Sequence, residues 1–107
     1  MIDAGGALVH PGFVDNHIHL DYHNLRWATE DGGGWDETAP IHGEYMGIVD
    51  ERLEYVSCKL ASLEMARNGT TCFLESGGIT ATDAAATAIE EVGIRGMLGD
   101  SFVRDYG

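Results

Sequence analysis

The chain has 107 residues, is 44% hydrophobic, and carries 18 acidic against 6 basic residues for a formal net charge of −12. That length holds one small domain, and the charge disfavours nucleic acid and anionic membrane surfaces as partners, because both demand cationic contacts. No apolar run approaches the roughly 18 residues of a membrane span, and no basic leader followed by an apolar stretch opens the chain, so it reads as soluble and untargeted.

The first informative stretch joins a Pro11-Gly12 turn to a short apolar strand, Phe13-Val14-Asp15-Asn16-His17-Ile18-His19-Leu20. Side chains alternate faces along a strand, so His17 and His19 point one way while Ile18 and Leu20 point the other. Two imidazoles then converge on one point. Neutral imidazole is the commonest protein ligand for a divalent transition metal, and a catalytic metal needs about three protein ligands with one position left open. Asp15 shares that parity; it is read either as an outer hydrogen-bond partner of the metal-bound imidazoles or as a buried carboxylate satisfied by backbone N–H groups.

Residues 21–47 show no sustained period and contain Gly32-Gly33-Gly34, Trp27, Trp35 and Pro40, which together signal a long irregular loop over the end of the first strand. The triple glycine is no phosphate cradle, since no Gly-Lys-Ser/Thr follows. From Asp50, a suitable N-cap, a helix runs to Arg67-Asn68-Gly69, with Val49, Leu53, Val56, Leu60 and Leu63 expected as its buried stripe. Asn68-Gly69-Thr70 also spells a glycosylation sequon but is read as a helix stop. Residues 70–74 form a short buried strand ending in Glu75, a second helix follows from Thr80 or Thr82 to Val92 with Gly93 closing it, and residues 94–103 read as a third strand with Asp100 near its top. Two successive βαβ units permit a barrel or a doubly wound sheet. A dinucleotide-binding sheet wants GxGxxG directly after its first strand, where this chain has His17-Ile18-His19-Leu20-Asp21-Tyr22, so the barrel is preferred.

The run from Pro11 to Leu20 resembles the Pro-Gly-Phe-(Val/Ile)-Asp-x-His-x-His signature of the amidohydrolase superfamily. Residues 64–73, Glu-Met-Ala-Arg-Asn-Gly-Thr-Thr-Cys-Phe, and residues 90–99, Glu-Glu-Val-Gly-Ile-Arg-Gly-Met-Leu-Gly, are similar to the approaches to strands 2 and 3 of its adenosine-type and methylthioadenosine-type deaminases and triazine chlorohydrolases. His-Ile-His-Leu-Asp is also similar to the cytosine deaminase branch. Asp21 stands where dihydroorotase-like members carry an arginine, which argues against cyclic-amide hydrolysis.

The resemblance implies a (β/α)8 barrel, of which residues 11–107 are the first part (strands 1–3 and helices 1–2), preceded over residues 1–10 by the tail of a small β-sandwich. It implies His17 and His19 as ligands of Zn²⁺ or Fe²⁺ at the C-terminal end of strand 1, the face where such barrels keep their sites. The implied chemistry is hydrolytic deamination, or dechlorination, of a small nitrogen heterocycle by a homo-oligomeric parent. The remaining ligands and the acid and base residues are expected outside this chain, since a complete barrel needs about 250 residues. Alternatives are cyclic-amide or N-acyl hydrolysis within the superfamily, or a non-catalytic metal-binding α/β module completed by His23 or His42. Glu75, Asp100 and Trp27 are the candidate substrate contacts, with Trp35 and Tyr45 as further aromatics; His10 is expected outside the site. Cys58 and Cys72, without CxxC spacing, are expected as free thiols in a reducing cytoplasm.

Overall fold

The computed structural model describes residues 2–28 and 33–99. Within them the order is β1 (Phe13–Ile18), a 3-10 turn (Asp21–Leu25), α1 (Trp35–Ile48), α2 (Glu51–Arg67), β2 (Thr70–Glu75), α3 (Thr82–Val92) and β3 (Arg95–Met97). The strands form one parallel sheet in the order β1-β2-β3, so α2 and α3 are the crossovers of two successive βαβ units. This mixed α/β arrangement is compatible with part of a (β/α)8 barrel. Residues 2–12 carry no strand, and the Ala7 N–H donates to the Ala4 carbonyl at 2.9 Å around a turn at Gly5-Gly6; the expected β-sandwich tail is not seen there. The third strand is shorter than expected over the described residues, and residues 100–103 of its predicted span lie outside them.

Helix boundaries follow local chemistry closely. The Asp50 carboxylate accepts from the Leu53 N–H at 2.8 Å, the predicted N-cap. Gly69 (φ +85°) and Gly93 (φ +81°) end α2 and α3 in the left-handed conformation that glycine adopts without penalty. The N-terminus of α3 has no cap from its own residues; instead Glu54 of α2 accepts from the main-chain N–H groups of Thr80 and Ala81 and from the Thr80 hydroxyl, at 2.9 to 3.3 Å. A carboxylate reaching across from a neighbouring helix thus satisfies donors that would otherwise be orphaned.

Two expectations are corrected. Residues 35–48 are helical rather than loop. Asp36 and Glu37 sit favourably in the first turn of α1, while Pro40, exposed and inside the helix, leaves the Asp36 carbonyl without its i→i−4 donor. The buried face of α2 is also not the leucine stripe: Val56, Leu60 and Leu63 are exposed, while Glu54, Ser57, Cys58, Ala61, Ser62 and Met65 face inward. Small side chains let α2 approach the 3-10 turn, β2 and α3 closely, and with Leu20, Phe73, Ile79 and Ile89 they make one continuous core. Periodicity located a helix; it could not choose between two stripes of equal spacing.

The reversed face is testable by urea denaturation. Ala61→Leu, inserted into the close contact, is expected to destabilise the protein by about 1–3 kcal/mol. Leu63→Ala, on the outer face, should stay within about 0.5 kcal/mol of the parent chain. The opposite ranking would restore the leucine stripe as the core face.

Candidate metal centre

His17 and His19 stand at the C-terminal end of β1 with their rings 5.3 Å apart, edge to face. The convergence predicted from strand parity is present. His17 is exposed and His19 half-buried, so the pair opens to solvent on one side. Asp15, two residues before His17, is half-buried. The β1–β2 register slips between Asp15 and Ile18, and the Asp15 carboxylate accepts from the main-chain N–H of His17 at 3.1 Å. An aspartate bonding backbone two residues on stabilises such an irregularity locally.

On the other side of His19 lies a group of buried carboxylates. Because Ile18 pairs with Glu75, the end of β2 brings Glu75 beside His19, and Nδ1 of His19 is 3.6 Å from Oε1 of Glu75. Glu75 is 2% exposed and accepts from the N–H groups of Gly77 and Gly78 at 2.8 and 3.0 Å. Asp21 is 1% exposed. Its main-chain carbonyl is held by the Tyr45 hydroxyl at 2.9 Å and lies 2.8 Å from Ser57 Oγ. Its two carboxylate oxygens have no hydrogen-bond partner among the described residues, and neither does Nδ1 of His19. Ligand atoms of His19, Asp21 and Glu75 all lie within 4.8 Å of one another. Gly78 is pressed against this cluster: a Cβ there would fall 2.4 Å from Oδ1 of Asp21.

Burial pushes the Asp21 carboxyl up to about 7, with the charges of Glu54 and Glu75 adding to the rise and nearby main-chain N–H groups offsetting only part of it. Burial also raises the Cys58 thiol, so this free cysteine is an inert core residue; Cys72 is free as well.

The other histidines are engaged elsewhere. His23 Nε2 meets the Glu64 carboxylate at 2.5 Å, where Arg26 joins it at 2.7 Å, tying the 3-10 turn to α2. His42 stacks on Tyr22 at 4.6 Å, and Tyr22 in turn contacts the His19 ring at 5.4 Å. His10 bonds the Pro11 carbonyl and lies against Phe13, away from the pair. Tyr45 is buried and pins α1 to the 3-10 turn, Trp35 meets His42 edge-on, and Trp27 is 85% exposed. Asp100 lies outside the described residues. Sequence reasoning missed Asp21 and Glu54 as buried groups. The available signals were Asp21 two residues beyond His19, and the small-residue stripe 54-57-58-61-62-65 that carries Glu54.

The described residues thus form a parallel βαβαβ sheet with paired histidines at the end of its first strand. Residues 8–105 match the model of the Amidohydrolase family, and the chain belongs to that family. It is 34% identical over 103 residues to a 5'-deoxyadenosine deaminase of Methanosphaera stadtmanae, an alignment covering 92% of this chain and 23% of that protein. It is also 33% identical over 106 residues to a 5-methylthioadenosine/S-adenosylhomocysteine deaminase of Thermococcus kodakarensis, covering 92% of this chain and 23% of that protein. The chain thus spans less than a quarter of the length of these relatives. No solved structure matches it significantly.

The Asp21 environment makes stability depend on pH in a defined direction. Between the ordinary value of 3.8 and about 7 the folded chain keeps a proton that the unfolded chain releases. This group therefore lowers stability by up to about 1.4 kcal/mol per pH unit as pH rises through that window, and by no more above it. In denaturation series from pH 4 to 8 with chelator present, Asp21→Asn is expected to gain on the parent chain steadily as pH rises. A difference that stays constant with pH would show that Asp21 ionises freely.

Proposed function

We propose that this chain is the first part of a metal-dependent amidohydrolase barrel, residues 11–107, and that its parent hydrolytically deaminates an adenosine modified at the 5' position. Residues 1–10 are read as the end of a preceding β-subdomain. The observation that carries the reading is the convergence of His17 and His19 at the C-terminal end of β1 in a chain of the Amidohydrolase family. The names of the relatives favour deamination over dechlorination and supply the substrate class.

The residues present fit a divalent cation: two imidazoles on one side of a strand end, half open to solvent, with buried carboxylates behind them. Such a cation, Zn²⁺ or Fe²⁺, supplies Lewis acidity and makes hydroxide available near neutral pH. His17 and His19 would hold it. Asp15 fixes the main chain at His17, and the Glu75 turn walls off the inner side of His19 from water. Trp27 and Trp35, both exposed, are assigned as flat apolar surface for a purine ring, and Asp100 is proposed as a further substrate contact. Two ligands are too few for a catalytic metal, so the others are assigned to chain beyond these residues. Among the described residues no helix is long and apolar enough to cross a membrane, and both cysteines are free; a cytoplasmic setting completes the reading.

The test is ammonia release from 5'-deoxyadenosine and 5-methylthioadenosine by the parent polypeptide, with metal content measured in parallel. His17→Ala and His19→Ala are each expected to lower kcat/KM by more than the ~100-fold typical of a lost outer-shell partner, and His19→Ala to lose bound metal as well. A metal-loaded parent that releases no ammonia from any adenosine would end the deaminase reading.

A further inference from the structure

We propose that a divalent cation binds among His19 Nδ1, Asp21 and Glu75, with the two carboxylates as ligands that the paired-histidine motif does not include. Three observations carry this. The 3.6 Å between Nδ1 of His19 and Oε1 of Glu75 is too long for a hydrogen bond. It matches the spacing of two ligands on one cation, since bonds of about 2.1 Å at a roughly tetrahedral angle place ligand atoms about 3.5 Å apart. Asp21, at 1% exposure, aims two unpartnered oxygens into the same space, and all three ligand atoms fall within 4.8 Å of one another.

Charge and packing agree. Two carboxylates and a neutral imidazole carry −2, which one divalent ion neutralises, and the donor set of oxygen with one imidazole suits Mn²⁺, Fe²⁺ or Zn²⁺ rather than a thiolate-seeking metal. Glu54, the third acid of the group, is committed through Oε2 to the start of α3 and stands behind Asp21. The main-chain carbonyl of Asp21 is anchored by Tyr45 and Ser57, and the Glu75 carboxylate by the N–H groups of Gly77 and Gly78, so the Glu75 carboxylate and the Asp21 backbone are placed before any ion arrives. His19 is the member open to solvent, with 31% of its side chain exposed, and provides the way in. A neutral imidazole has one lone pair. When Nδ1 takes this cation, the proton resides on Nε2 and His19 leaves the His17 pair, so the two uses of His19 exclude each other.

The experiment is carried out on chelator-treated His17→Ala protein, in which the histidine pair is broken, by titration with Mn²⁺ followed by electron paramagnetic resonance and by thermal melts. One equivalent is expected to bind and to raise Tm. Adding Asp21→Asn should weaken Mn²⁺ binding at least tenfold and abolish the Tm rise, while the metal-free Tm stays equal or higher because a buried charge has been removed. Glu75→Gln in the same background gives a second loss. The proposal is overturned if the His17→Ala protein binds no Mn²⁺, or if Asp21→Asn leaves its affinity unchanged. Deaminase activity plays no part in these readouts, so they stand or fall apart from the reaction proposed above.

Discussion

The close contact of the small-residue face of α2 with the end of β1 governs much of this structure. Ser57, Cys58, Ala61 and Ser62 are fully buried, and with so little side chain between them the helix lies near enough for Ser57 Oγ to reach the Leu20 and Asp21 carbonyls at 2.8 Å. That contact takes Leu20 and Asp21 out of water together. Leu20 gains from burial, by about 1.5–3 kcal/mol for a side chain of this size. Asp21 loses by it. A longer residue at position 57 or 61 would lift α2 outward and return the Asp21 carboxylate to solvent, so the packing of one helix sets the electrostatics beside His19.

Three carboxylates are buried within this region, and their fates differ. Glu75 closes the Gly77-Gly78 turn, and Glu54 caps α3; each exchanges hydration for main-chain N–H donors, the trade that allows an anion inside a protein. Asp21 makes that exchange only weakly, with no well-formed hydrogen bond to its carboxylate among the described residues. Exposed pairs elsewhere, such as Lys59 and Tyr55 converging on Glu91 or Arg26 on Glu64, have water to fall back on and contribute little to stability. A buried carboxyl next to two other carboxylates is held toward its protonated form, and it adjoins the histidine pair.

Much of this was legible beforehand, where a residue acts on its own neighbourhood. Asp50 caps, Gly69 and Gly93 stop helices, Thr70–Glu75 forms a strand, and His17 and His19 converge because two residues apart on a strand means one side. What was not legible depends on distant partners. The leucine stripe of α2 outweighs the small stripe on any hydropathy scale, yet the small stripe is buried because proximity to the 3-10 turn and α3 requires it. Pro40 and the adjacent glycines hid α1, whose attachment comes from Tyr45 and the Tyr22–His42 stack rather than from an apolar face. Parity along β1 could not say which group the Asp15 carboxylate bonds; it accepts from the main-chain N–H of His17.

The placement of His19 follows from these constraints. Its backbone belongs to the end of β1, its ring faces His17 on the open side, and its Nδ1 faces Glu75 and Asp21 on the closed side. An imidazole so placed transmits whatever happens among the buried acids to whatever binds on the open side, because its two nitrogens share one proton and one lone pair. A positive charge or a proton among the acids alters which nitrogen can donate. Tyr22 lies against the same ring at 5.4 Å. The acids behind the motif are therefore part of how the histidine pair presents itself, even though only the pair is visible as a motif.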